Sequence, residues 1–249
     1  MKNTFVPKFS YIIPFRFRQD RIIPLRRVVD FISGFQGAEI IIVEQDTHSK
    51  ISHLNLKATH IFIESEIPFN KSWAYNVGVK NSIAPVLVFA DADFILNPND
   101  LIESLKMLET YDCVIPTSNI VNLTPQESAA DFNHIFSIKR PGYKFSMTNG
   151  AVLFRREAIQ KIGGWNEDFI GLSQENQFQD IKIKNLLNYK ELDFTGYHLN
   201  HRQDPPDFTF AQRNNQIMDT YRQATTEVLN QHISQTSFKI GLKNKYSSL

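Results

Sequence analysis

At 249 residues the chain can bury a sizeable core, either as one large domain or as one domain with an appendage. Its 27 basic and 26 acidic side chains leave a formal net charge of +1, which argues against the one-sided field of a nucleic-acid binder, so no nucleic-acid partner is expected. The lone cysteine, Cys113, excludes an internal disulfide and a multi-cysteine zinc site and suits a reducing compartment, so a cytoplasmic location is expected.

The N-terminal stretch MKNTFVPKFSYIIPFRFRQDR has no long apolar h-region, and no window approaches the roughly 18 consecutive apolar residues of a membrane span. YIIPF is the first expected strand, followed by a helix from about Ile22 to Ser33. AEIIIVEQ and HIFIES read as further strands, then a helix from about Ser72 to Asn81, then the strand APVLVFA. Continuous apolar runs bounded by turns suit strands covered on both faces, and their alternation with helices predicts an α/β fold with a mostly parallel sheet. NPNDLIESLKMLETY reads as a helix capped by Asp100, with Leu101, Leu105 and Leu108 at helical spacing. From Pro205 onward the chain turns polar and helix-friendly, and KIGLKNKYSSL reads as a fraying basic tail. We therefore expect a main domain over residues 1–205 and a C-terminal helical extension over 206–249. That extension could cover an acceptor site, pair subunits or touch a membrane surface.

The expected strand Val86–Ala90 runs straight into Asp91 and Asp93, separated by Ala92. Open α/β sheets bind ligands beyond the C-terminal ends of their strands. An extended backbone would point both carboxylates the same way, and two like charges held together call for a cation between them. Mg²⁺ or Mn²⁺ shared with a partner's phosphates would meet that need, whereas the plain alternative is a solvated turn.

Four other stretches bear on the choice. After Pro14, the run FRFRQDR presents Arg16, Arg18 and Arg21, whose forks match phosphate oxygens, or else form a solvated basic turn. Asn70 and Lys71 precede a helix that Ser72 or Asn70 could cap, so its N-terminal amides and Lys71 could face an anion, while packing explains Trp73, Tyr75 and Val77. Gly163 and Gly164 allow a tight turn, and Glu167, Asp168, Glu175 and Asp180 follow. One of these acids could take a proton from a hydroxyl nucleophile, and the rest are structural or solvated. His198 and His201 suit Mn²⁺, or else are ordinary surface or core histidines.

Taken together and in this order, these blocks resemble the glycosyltransferase A fold over roughly Tyr11 to Asp204. The resemblance is to family 2 enzymes and to the animal β-1,4-galactosyltransferase and polypeptide N-acetylgalactosaminyltransferase catalytic domains. It implies a central sheet flanked by helices and a metal-dependent, inverting transfer of a hexose or N-acetylhexosamine from a UDP-sugar to a glycan hydroxyl. By that resemblance Pro14, Phe15, Arg16 and Arg18 hold the uridine nucleotide, Asn70 and Lys71 face it, and Gly150 lies near the donor sugar. VFADADF is similar to the family's Asp-x-Asp motif, which makes Asp93 the direct metal ligand and places Asp91 on the ribose or the metal shell. HLNHRQD is similar to the late metal-binding segment, which gives His201 as a ligand with His198 beside it.

GLSQEN stands where galactosyltransferases carry Gly-Trp-Gly-Gly-Glu-Asp. Leu172, Ser173 and Gln174 depart from that pattern, so the galactosyltransferase acceptor does not carry over. Asn176 replaces the catalytic aspartate, and the Glu-Asn pair resembles the N-acetylgalactosaminyltransferase version. Glu175 is left as the expected general base or sugar anchor. With no membrane anchor or stem expected, a bacterial or viral cytosolic enzyme is expected, in bacterial surface-polysaccharide synthesis, with membrane contact no more than peripheral. Two rivals remain. A nucleotidyltransferase would more often show a glycine-rich phosphate loop, which IIPFRFRQ lacks, and Asn176 supports a non-catalytic nucleotide- or carbohydrate-binding module.

Overall fold

The computed structural model of the protein describes residues 8–171, 174–202, 209–236 and 240–246. Leu172, Ser173 and the expected boundary at Pro205 lie outside the described residues. In chain order the elements are β1 (Phe9–Phe15), α1 (Ile22–Ser33), β2 (Ala38–Asp46), β3 (Thr59–Glu64), α2 (Lys71–Asn81), β4 (Val86–Ala90), β5 (Phe94–Leu96) and α3 (Pro98–Met107). There follow β6 (Cys113–Asn122), α4 (Pro125–Ala129), α5 (Phe132–Ser137), β7 (Ala151–Arg155), α6 (Arg156–Lys161), α7 (Glu175–Leu186), β8 (Tyr189–His198), α8 (Ala211–Tyr221) and α9 (Thr226–Thr236).

The strands form one sheet in the order β3-β2-β1-β4-β7-β6-β8-β5. Its first half is the expected parallel α/β layer, with β2 parallel to β3 and β1 parallel to both β2 and β4. The second half is mixed, because β7 runs antiparallel to β4 and β6, β8 is parallel to β6, and β5 is antiparallel to β8. This reversal sets the start of β7 beside the end of β4, with Ala151 opposite Ala90. It also sets the end of β8 beside the start of β5, with His198 opposite Phe94. One edge of the sheet thereby gathers loops from distant parts of the chain.

Alternation along the strands divides the core in two. Tyr11, Ile13 and Phe15 face a cluster with Leu25, Val28, Val29 and Ile32 of α1, whose spacing makes one helical stripe. Ile12 and Phe89 face the other side, with Tyr75 and Trp165. α2 lies flat on that face, and a Cβ on Gly78 would stand 2.3 Å from Ile12 Cγ2, so only glycine permits the approach.

Two expectations change. Asp100 is not the cap of α3. Asn97 accepts from the Asn99 amide and Pro98 opens the helix, while Asp100 sits in its first turn. Nor does the tail fray over residues 240–246. Tyr246 is buried edge-on against Trp73 with ring centroids 5.0 Å apart, and the Trp73 indole donates to the Leu242 carbonyl at 2.7 Å. Lys245 pairs with buried Glu167 at 2.8 Å, so an apparently solvated basic run seals α2.

Candidate metal and nucleotide site

Asp91, Ala92 and Asp93 follow β4 in a tight turn rather than an extended run, closed by a Phe94 amide that donates to Asp91 O at 3.2 Å. The two carboxylates therefore meet different partners. Asp91 pairs with Lys71 Nζ at 2.7 Å, and its amide donates to Gly150 O at 3.0 Å. Asp93 is 5% exposed, with Oδ2 at 2.9 Å from His201 Nε2 and Oδ1 at 3.2 Å from His198 Nε2. Each carboxylate in this turn has its own partners, Lys71 for Asp91 and the two histidines for Asp93.

Strand register explains the histidines. β8 delivers His198 opposite Phe94 on one side and Asn122 on the other, and the Leu199 amide then donates to Asp93 O at 2.7 Å. Burial alone would raise the Asp93 carboxyl, but His198 and then His201 hold it well below the usual carboxylate range. Burial lowers His198, yet Asp93 outweighs that and leaves the imidazole raised. Lys71 behaves alike, with burial opposed by Asp91 first and then by Glu175, and its ammonium is raised.

One ligand atom each from Asp93, His198 and His201 lies within 4.8 Å of the others, a set suited to a divalent cation. Two observations fit such an ion. Asp93 Oδ1 is buried without a hydrogen-bond partner, and His198 Nε2 stands 3.2 Å from it. His201 Nδ1 lies 2.8 Å from Arg202 O, and a carbonyl can only accept, so Nδ1 carries the hydrogen. With Nδ1 occupied in this way, Nε2 is the ring atom that faces the carboxylate, the orientation usual for a metal-ligating histidine.

The basic turn closes over this cluster. Arg18 grips Asp20 through Nε at 3.0 Å and Nη2 at 2.9 Å and donates to Arg202 O at 3.0 Å, while the Arg202 amide donates back to Asp20 at 2.9 Å. This clamp ties the β1 turn to the His201 segment, and no local pattern had marked Asp20 as its centre. Arg16 donates to Ile67 O at 2.8 Å, and the Arg21 charge is felt at His198. Pro14 is buried and the Phe15 ring is 1% exposed within the core, so only their backbone can face a ligand.

Asn70 caps α2 by accepting from the Trp73 amide at 2.9 Å. Its side-chain Nδ2 donates to Glu167 O at 2.7 Å, so this buried side chain is occupied in positioning Lys71. Gly150 holds φ +78°, and a Cβ there would meet the Phe94 ring at 2.4 Å, so glycine is required where the β7 loop crosses the turn. Glu175 opens α7 near enough to raise both Lys71 and Tyr75 electrostatically.

Two of the other acids in that block are structural. Asp180 accepts from the Met147 amide at 2.8 Å and the Thr148 amide at 3.1 Å, fixing the approach to Gly150. Glu167 accepts from Asn76 Nδ2 at 2.8 Å and is the acid that Lys245 neutralises. Asp91, Asp93, Lys71, Gly150, His198 and His201 thus converge at one edge of the sheet.

A family model described as glycosyl transferase family 2 matches residues 10–163, well over half of the chain. The chain belongs to that family. The match covers the arginines and the aspartate pair of this glycosyltransferase and stops short of Glu175, His198 and His201. Solved structures agree on the fold. A mutant of Drosophila β-1,4-galactosyltransferase 7 in complex with manganese, UDP-Gal and xylobiose is 16% identical, with a TM-score of 0.54 over 84% of this chain and 79% of that one. The catalytic domain of the same Drosophila enzyme with xylobiose is 16% identical, with a TM-score of 0.53 over 84% and 80%. S. aureus TarS in complex with UDP-GlcNAc is 14% identical, with a TM-score of 0.61 over 95% and 72%. No curated protein sequence matches the glycosyltransferase at a significant level.

Proposed function

We propose that this glycosyltransferase moves a hexose or N-acetylhexosamine from a UDP-sugar to a hydroxyl of a glycan, with Mn²⁺ or Mg²⁺ held by Asp93, His201 and His198. The observation that carries the reading is the convergence of those three side chains, with Asp93 Oδ1 left unbonded, beside Lys71 and the basic turn. The ligands bound by the galactosyltransferase and TarS structures support the donor class.

A bound divalent cation would offset the charge that develops on the diphosphate. Arg16 and Arg18 would take phosphate oxygens in place of the carbonyls and the Asp20 carboxylate that they now hold. Lys71 would hold Asp91 in place and add a positive charge at the nucleotide end. Glu175, as general base, would accept the proton of the acceptor hydroxyl while its oxygen bonds to the anomeric carbon. The bond from that carbon to the UDP oxygen breaks and its electron pair leaves with UDP. Attack opposite the leaving group inverts the anomeric centre and turns an α-donor into a β-linkage. We infer synthesis of a bacterial surface polysaccharide in the cytoplasm as the setting.

The test is UDP release from UDP-galactose, UDP-glucose and their N-acetylhexosamine counterparts, each with Mn²⁺, with Mg²⁺ and with EDTA. One donor should be turned over with metal and none with EDTA. Glu175→Gln should lower kcat at least a hundredfold with little change in donor affinity. Turnover that persists in EDTA would remove the metal from the account, and equal losses in kcat and affinity would remove Glu175 as the base.

A further inference from the structure

Three consecutive residues of α8 reach the segment that leads into Glu175. Arg213 donates to the Asp168 carbonyl, Asn214 donates to the Ile170 carbonyl at 2.9 Å, and Asn215 Oδ1 accepts from Gln174 Nε2 at 2.6 Å. Gln174 adjoins Glu175, the first residue of α7. α8 lies beyond residues 10–163, in the expected C-terminal extension.

Apolar side chains hold the helices together. Phe169 and Phe178 have ring centroids 5.7 Å apart and cluster with Met218 of α8 and Leu229 of α9, while the Tyr221 ring meets Phe178 at 4.8 Å. Asn214 is nonetheless buried on α8 alongside Met218, at 2% exposure, where an apolar residue would avoid the cost of burying an amide. It is matched there to a single residue. Its Nδ2 serves the Ile170 carbonyl, and its Oδ1 accepts from the Ile170 amide at 3.5 Å. Two bonds to the main chain of one residue fix its place in a way that apolar packing does not.

From Ile170 the constraint passes to the nucleotide end of the site. The Gly171 amide donates to Phe69 O at 3.0 Å, and Phe69 precedes Asn70 and Lys71. The segment is thus bonded to α8 on one side and to the start of α2 on the other, and the acid it leads to acts electrostatically on Lys71.

A general base works only within hydrogen-bond reach of the proton it takes, and a misplacement of about 1 Å can cost about a hundredfold in rate. A residue that holds the base without touching a reactant therefore shows in kcat and not in donor binding.

We propose that α8 positions Glu175, with Asn214 fixing Ile170 and Asn215 fixing Gln174. This rests on Glu175 as the general base in the transfer reading above and names the residues that hold it.

The experiment measures UDP release with Mn²⁺ from UDP-galactose, UDP-glucose and their N-acetylhexosamine counterparts. Asn214→Ala, Asn215→Ala and Asn215→Asp are each made with Glu175 intact and in the Glu175→Gln background, and thermal midpoints and amide exchange at Ile170 are read on the same proteins. Asn215 is exposed, so Asn215→Ala should keep the wild-type midpoint. Its kcat should fall at least fivefold with donor KM within about twofold of wild type, and Asn215→Asp, which keeps an acceptor for Gln174, should restore kcat. Asn214→Ala should lower kcat at least tenfold and speed Ile170 exchange at least tenfold. In the Glu175→Gln background none of the three should lower kcat further, because a base already removed cannot be misplaced. Losses that multiply with that of Glu175→Gln, equal changes in kcat and KM, or a lower midpoint with kcat unmoved overturn the proposal. If Glu175→Gln turns over like wild type, or no donor releases UDP, the base reading fails instead. Ile170 exchange then decides alone: faster exchange in Asn214→Ala upholds the hold of α8 on this segment, and unchanged exchange overturns it.

Discussion

Lys245→Met should destabilise the protein far more than loss of a surface ion pair. Glu167 is 2% exposed and accepts from Asn76 Nδ2 at 2.8 Å, the Gly241 amide at 2.5 Å and Lys245 Nζ at 2.8 Å. At that last separation two unit charges attract by about 6 kcal/mol with an effective dielectric of about 20. Desolvation offsets much of this, and water screens the Lys245 side chain, which is 26% exposed. A net loss of about 2 kcal/mol remains, or about 4–8 °C in Tm for a chain of this size. Urea unfolding and calorimetry at pH 7 on Lys245→Met, Glu167→Gln and the double variant give the cycle. The double variant should be more stable than Lys245→Met alone, because no buried charge is stranded. A Lys245→Met loss below about 0.5 kcal/mol, or costs that simply add, would refute the reasoning.

Gly150→Ala should cost about 3 kcal/mol in urea unfolding, from the φ of +78° and a Cβ 2.4 Å from the Phe94 ring. A loss under about 1 kcal/mol would contradict that geometry. Asp180→Asn should leave one of its amide donors short of an acceptor, so hydrogen exchange at Met147 and Thr148 should speed up while that of β1 stays fixed. Unchanged protection at those two amides would count against it. Burial pushes the Lys182 ammonium down to about 7, whereas the unfolded chain keeps the ordinary value of 10.5. Above pH 7 the unfolded state then binds more protons, so stability should rise with pH by up to about 1.4 kcal/mol per unit. Comparing wild type with Lys182→Met between pH 7 and 9 isolates this slope, and parallel profiles would contradict it.

What could be read from the sequence was local. The helix expected from about Ile22 to Ser33 matches α1, and the unbroken apolar runs of β1 and β2 marked strands covered on both faces. The end of β4 likewise marked the edge where Asp91 and Asp93 lie. α2 (Lys71–Asn81) matches the helix expected from about Ser72 to Asn81, although Ser72 and Asn76 are buried beside Trp73 and Tyr75. No amphipathic stripe shows on a helix pressed between the sheet and residues 240–246. The counter-charges were not legible, since Lys71 reaches Asp91 and Asp20 ties Arg18 to Arg202 only through tertiary contact. His198 and His201 were recognised as candidates, but what faces them on Asp93 depends on β8 pairing with both β5 and β6.

The most direct test of the central claim is calorimetric titration of UDP into the metal-free protein with and without Mn²⁺, for wild type, Asp93→Asn and His201→Ala. The account predicts that Mn²⁺ tightens UDP binding at least tenfold in wild type and has little effect in either variant, since one loses the carboxylate charge and the other an imidazole of the cluster. Equal tightening by Mn²⁺ in all three proteins would place the cation elsewhere, and the Asp93, His198 and His201 cluster would lose its assigned role.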